Sequence, residues 1–149
     1  MEFGTLNLNK IHILRVDPGE DILASVEQFI AEAQLKQAVV LGGYGTMAAY
    51  HLHWVTHNHI PTDNLFRKGE CGIEILAMNG LVVDSQPHIH ISLATPDGGF
   101  GGHLETGCVA YVVCEIFFGE VGGVHLTRER IPVSVEGMGN GLISRLMFG

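Results

Sequence analysis

No stretch of this 149-residue chain concentrates lysine or arginine; eight basic residues stand against sixteen acidic ones, for a formal net charge of −8. That balance disfavours nucleic acids and other polyanions as partners of the isolated chain, because such binding draws on counterions released by a clustered set of cations. Only Arg128 and Arg130 are placed to share a strand face. Cysteine is scarce as well. Cys71, Cys108 and Cys114 are odd in number and show no Cys-x-x-Cys spacing, which excludes a disulfide framework and points to reduced structural thiols in a cytosolic setting. No run of about 18 apolar residues occurs, and the opening MEFGTLNLNK has no apolar segment of the signal-peptide kind. Neither a membrane span nor a secretory leader is supported, and a cytoplasmic location is expected. Charged residues amount to 16% and hydrophobic ones to 46%, a lean surface that self-association or a large core would explain. The length corresponds to one domain, residues 1–149, able to bury a core without disulfides or a structural metal.

What is present is mostly strand-forming. Residues Lys10 to Val16 alternate, with Ile11 and Ile13 on one face. DPGED follows, in which Asp17 is the expected helix cap, Pro18 the first helical residue and Glu20 the reciprocal capping-box acid. Ile22, Leu23, Val26, Phe29, Ile30 and Ala33 then recur with helical spacing and predict one amphipathic helix. Beyond it the expected strands are Ala38 to Leu41, Met47 to Val55, Ile73 to Met78, Leu81 to Asp84, Pro87 to Thr95, Val109 to Phe118 and Val124 to Val135. GGYGT reads as a tight reversal between strands. It lacks the lysine and the following helix of a phosphate-binding loop. HNHIPTDNLFRKGEC reads as an irregular loop, and Asn79-Gly80 as a hairpin turn. The apolar tail GNGLISRLMFG is expected to dock, on its own subunit or on a neighbour. Many strands and one early helix imply an α+β domain on a mainly antiparallel sheet.

The chemistry gathers in PHIHISLATPDGGFGGHLETG, residues 87–107. Ile89, Ile91 and Leu93 form a wholly apolar strand face, so His88, His90 and Ser92 project from the other one. A glycine-rich reversal at 98, 99, 101 and 102 can return His103 to that pair. Three neutral imidazoles with an open fourth position describe a catalytic type of zinc site; the plainer reading is a solvated strand face beside a flexible turn. A second group, His51, His53, His57 and His59, shares parity only if its strand continues, and Asn58 and Pro61 argue that it does not. His12 and His125 stand alone within strands, where packing or solvent accounts for them. Glu74 and Glu115 sit on otherwise apolar strand faces, and a buried carboxylate needs a partner or a raised pKa. Each is a candidate general acid or base, or an acceptor for a ligating histidine; pairing with arginine at a strand end or subunit boundary explains them equally well. Glu105 reads as a surface loop residue.

DPGED before the helix, GGYGT, IEILAMNG, HIHISLATPDGG, GGHLETG and VCEIFF occur in an order that resembles the plants and prokaryotes conserved (PPC) domain, from about Ile13 to Phe118. The resemblance implies an antiparallel sheet of about seven strands with one main helix, assembled as a homotrimer. It implies His88, His90 and His103 as the family's histidine positions and Glu74 as its glutamate. In plant members the domain follows AT-hooks that bind A·T-rich DNA, and many stand-alone prokaryotic members carry a DNA-binding label. This chain has no Arg-Gly-Arg-Pro core and no basic arm, so DNA is not an expected partner. At fold level the family resembles α-acetolactate decarboxylase, which holds zinc with three histidines. Two functions stand side by side. One is a divalent-metal protein, with zinc favoured, that acts as a lyase or hydrolase on a small oxo- or hydroxy-acid. The other is a non-enzymatic module associated with DNA or with protein assembly.

Overall fold

Alternating apolar residues over most of the chain leave little backbone outside a sheet, and the computed structural model, which describes residues 1–149, is built accordingly. The elements are β1 (Asn7–Arg15), α1 (Ile22–Glu32), β2 (Ala38–Val55), β3 (Asn64–Val83), β4 (Gln86–Thr95), β5 (Gly98–Leu104), β6 (Val109–Gly122), β7 (Leu126–Val135) and β8 (Gly139–Phe148). All strand pairs are antiparallel. Six strands run in the order β1-β6-β2-β3-β4-β5, and β7 pairs with β8 in a separate two-stranded sheet. The architecture is the expected α+β one.

β2 is long enough to serve three neighbours. It pairs with β3 along its length, with β6 as far as Ala49, and with β5 at Leu52 and His53. That last pairing closes β2, β3, β4 and β5 into a ring, which later sets the histidines. α1 lies against the inner side of the sheet. Phe29 meets Phe118 of β6 at 5.0 Å and His12 of β1 at 5.5 Å between ring centres. Ile22, Val26 and Ile30 of α1 join a core with Ile89, Ile91 and Leu93 of β4. Fully burying such a side chain contributes about 1.5–3 kcal/mol.

Several local expectations are corrected. The helix is capped by Asp21, whose carboxylate accepts from the Ala24 N–H at 2.9 Å. Asp17 and Glu20 do make the bond expected of a capping box, Glu20 accepting from the Asp17 N–H at 2.9 Å, but across a turn that precedes the helix. Gly19, at φ +89°, cannot belong to a helix, and β6 draws this turn onto the sheet by bonds between Gly19 N–H and the Ala110 carbonyl and between Ala110 N–H and the Glu20 carbonyl.

GGYGT is not a reversal; it lies inside β2, whose pairing with β6 shifts register there. Gly45, at φ +145°, is glycine because a Cβ would overlap the Val113 carbonyl of the neighbouring strand. Nor does Asn79-Gly80 turn. Asn79 pairs with His90 in mid-strand, and the hairpin turns at Asp84 and Ser85, both at positive φ. Residues 64–71, read as loop, are the first part of β3 and pair with β2. The apolar tail is β8, laid against β7 on its own chain; Arg145 also reaches Glu2 at 3.1 Å. No helix is long and apolar enough to cross a membrane.

Candidate metal centre

The alternation of β4 does what the sequence requires of it. Ile89, Ile91 and Leu93 are at most 2% exposed, while His88 and His90 stand on the opposite, open face. His103 returns to them by a route other than the one expected. The reversal is made by Pro96 and Asp97 alone, and the glycines form β5 itself, placing His103 directly opposite His90. They are glycines because the strand is crowded. A Cβ on Gly101 would press on the Ile91 carbonyl, and one on Gly102 would meet the His53 carbonyl and the Trp54 ring.

Ring closure adds a fourth histidine. Because β5 also pairs with β2, His53 is the cross-strand neighbour of His103, with ring centres 4.4 Å apart. His88 and His90 approach Nε2 to Nε2 at 3.3 Å, and the His103 ring lies 4.6 Å from His88 and 5.3 Å from His90. One ligand atom from each of His88, His90 and His103 falls within 4.8 Å of the others. A tetrahedral ion with nitrogen at about 2.0–2.1 Å needs roughly 3.3 Å between donor nitrogens. The His88–His90 separation has that value, and all three imidazoles open onto one pocket of about 330 Å³, so the residues fit a metal ion.

The electrostatics favour neutral rings, as ligation requires. Burial pushes the His103 pKa down to about 4, with the neighbouring His88 and His53 rings adding to it. His88 is lowered too, by burial first and then by the charge of Arg128. His53 is held by Glu105, whose Oε1 lies 2.6 Å from Nδ1, which leaves Nε2 free. Glu105 is therefore not a surface loop residue as expected; its side chain is 27% exposed and paired.

The rival group disperses. His51 Nδ1 sits 2.7 Å from the Thr106 carbonyl, and β2 ends at Val55, so His57 and His59 leave the sheet, His57 lying 3.4 Å from Asp63. His53 alone joins the pocket. The sequence signal for it was present in the shared parity with His51, but only the β2–β5 pairing separates the two. His12, expected to be merely packed or solvated, is pinned to Glu120 at 3.0 Å.

The two candidate carboxylates are not brought to the histidines. Glu74 is exposed rather than buried and lines a separate pocket of about 580 Å³ with Thr46, Pro96 and Tyr111. Glu115 is partly buried on the outer face of the sheet and accepts a hydrogen bond from the Tyr44 hydroxyl, which raises the pKa of that phenol. Cys108 and Cys114 are buried, and burial raises their pKa to about 11 and about 12, so they are inert thiols.

A model of the Plants and Prokaryotes Conserved (PCC) domain matches residues 4–122. Among curated proteins, the chain is 29% identical over 128 residues to a bifunctional protein GlmU from Synechococcus sp. (strain JA-2-3B'a(2-13)), covering 84% of this chain. It spans 19% of the length of that relative. Among solved structures, a plant- and prokaryote-conserved protein of Pyrococcus horikoshii is 27% identical with a TM-score of 0.74, over 88% of this chain and 92% of that one. A metal-containing protein of Archaeoglobus fulgidus shares the fold at 22% identity and a TM-score of 0.73, over 93% of this chain and 96% of that one.

Proposed function

The chain belongs to the Plants and Prokaryotes Conserved domain family, and from that premise we propose that it is a homotrimeric divalent-metal protein in which His88, His90 and His103 hold one ion, zinc in first place. The observation that carries this reading is the convergence of three imidazole donors on one open pocket, all within 4.8 Å of one another and with His88 and His90 at a tetrahedral spacing. An all-nitrogen set with a free position suits zinc, although nickel, copper or iron accept the same donors. The Archaeoglobus relative adds the fold; the metal reading for this chain rests on its own histidines.

An ion held there supplies a Lewis acid that polarises a carbonyl or activates water, which fits a lyase or hydrolase acting on a small oxo- or hydroxy-acid. The chain's own residues do the rest. Burial keeps His103 unprotonated at neutral pH, and Glu105 fixes the tautomer of His53 so that its second nitrogen faces the pocket. His53 with Glu105, rather than Glu74 or Glu115, forms the polar pair beside the cluster.

Trimer formation is supported by the sheet face opposite α1. Ile11 and Ile13 of β1, Tyr44 of β2, Leu76 of β3, and Tyr111 and Val113 of β6 are between 41% and 67% exposed, an apolar patch a monomer would rarely leave in water. DNA is not a partner in this reading, since the chain is acidic and no stretch of it concentrates the lysine or arginine that would displace counterions.

The test is elemental analysis of protein purified without an affinity tag or added metal, then resupplied with zinc. One ion per chain is expected. Failure to bind zinc under both conditions would hand the case to the non-enzymatic module associated with DNA or protein assembly.

A further inference from the structure

Strand parity, and not chance, sets the His53–Glu105 pair beside His103, and the zinc reading gives that pair no ion to hold. Leu52 of β2 pairs with Leu104 of β5, and both are at most 1% exposed, so their neighbours turn to the opposite side of the sheet. Those neighbours include His53 and His103, which lie directly across the ladder from each other. Glu105 stays on the same face because the ladder runs one step further, its N–H donating to the His51 carbonyl at 3.1 Å. His51 shares the face too, but its ring is turned aside to the Thr106 carbonyl.

Two imidazoles and a carboxylate therefore converge, one ligand atom from each of His53, His103 and Glu105 lying within 4.8 Å of the other two. All three residues are partly buried, whereas His88 and His90 are exposed. The Phe66 ring covers His53 on one side, 5.2 Å away between ring centres, and both histidines open onto the pocket on the other. Nδ1 of His53 and Oε1 of Glu105 are 2.6 Å apart, the distance of a hydrogen bond. Adjacent donors of an octahedral ion at about 2.1 Å lie about 3.0 Å apart, so a cation replaces the shared proton once the two side chains part by roughly 0.4 Å. The Glu105 side chain, 27% exposed, has the freedom to make that move.

We propose that His53, His103 and Glu105 form a second cation position, alternative to that of His88, His90 and His103, and that it takes manganese(II) or iron(II). The donor set argues for these metals. Three imidazoles suit zinc, nickel or copper, while two imidazoles and a carboxylate on one side of an ion, with its other positions open, suit ferrous iron, and the carboxylate oxygen admits manganese. Both positions draw on His103, and a neutral imidazole has one lone pair to give. The pocket accordingly holds one ion per chain, and the nature of the ion decides which set of side chains it meets. Only this competition rests on the zinc reading; the second position rests on its own three donors.

Manganese(II) is the probe, and the electron paramagnetic resonance signal of the free ion is the readout, titrated with protein that has been stripped by chelator and then freed of it. Wild type should remove one manganese ion per chain from the free signal. His88→Ala and His90→Ala should do the same, whereas Glu105→Gln and His53→Gln should weaken binding about tenfold or more, at least the loss caused by removing a group that merely supports a ligand. Glu105→Gln should still take up one zinc ion, which shows a folded protein with its defect confined to this position. One equivalent of zinc added to manganese-loaded wild type should restore the free signal. Equal manganese binding by wild type and Glu105→Gln would overturn the proposal, as would no binding by wild type, or a loss in His88→Ala as large as that in Glu105→Gln. Manganese retained beside bound zinc would overturn the competition for His103. Should the protein take up no zinc, the zinc reading fails by itself; manganese binding that depends on Glu105, with the circular dichroism of Glu105→Gln unchanged, then sustains the second position, and its absence ends it.

Discussion

Acid should destabilise the metal-free protein through His103 in particular. Burial lowers the pKa of this ring from 6.5 to about 4. Above pH 6.5 the ring is neutral in folded and unfolded chains alike and contributes nothing. Between pH 6.5 and about 4 the unfolded chain binds a proton that the folded one refuses, so stability falls as pH falls; below about 4 both are protonated and the loss levels off. A lowering of that size corresponds to at most about 3 kcal/mol, and water reaching a half-buried ring reduces it to about 1–2 kcal/mol. Urea denaturation of chelator-treated wild type and His103→Gln at pH 7.5, 6.0, 5.0 and 4.5 measures it, because glutamine does not titrate. Wild type should lose about 1–2 kcal/mol more than the variant across that range. His88, lowered by burial and by Arg128, contributes a slope of the same sign to both proteins. Parallel curves for the two would refute the reasoning. With saturating zinc, the wild-type curve should steepen, since protons then compete with the metal for the same nitrogens.

Gly45→Ala should destabilise the chain by about 1–3 kcal/mol in thermal or urea melts, because the new Cβ would overlap the Val113 carbonyl in β6 and φ +145° is strained for alanine. Light scattering should give a trimer at micromolar concentration, and Ile13→Lys, which places a charge on the open face of β1 where Ile13 is 67% exposed, should shift the mass towards monomer without unfolding it. Fluorescence anisotropy with an A·T-rich duplex at physiological salt should show weak binding or none; a sub-micromolar constant with a steep salt slope would show that the acidic chain carries a cationic surface after all.

Alternation and helical spacing made the helix, the strand β4 and its two faces legible, because each depends on residues close in sequence. The same local logic failed wherever glycine was read as a turn. Gly45, Gly80 and Gly101 are glycines because a neighbouring strand's backbone lies where a Cβ would be, a fact of pairing between distant segments. The length of β2 and β3 was hidden for the same reason, each being split at its glycines. At the centre, His88 and His90 followed from parity alone, and the return of His103 was foreseen although Pro96 and Asp97, not the glycines, turn the chain. His53 could not be told from His51 without knowing that β5 closes the ring against β2. Of the two carboxylates, Glu74 departs from the expected burial, being exposed because its strand face is the open one, whereas Glu115 is partly buried and has a partner in the Tyr44 hydroxyl.

The most direct test is a crystal structure of the zinc-loaded protein with anomalous diffraction recorded on both sides of the zinc absorption edge. A single peak per chain should lie about 2.0–2.1 Å from one nitrogen each of His88, His90 and His103, and should vanish in His103→Ala crystals while the fold remains. A peak at His51, His57 or His59, or one that persists among His88 and His90 in His103→Ala, would contradict the account.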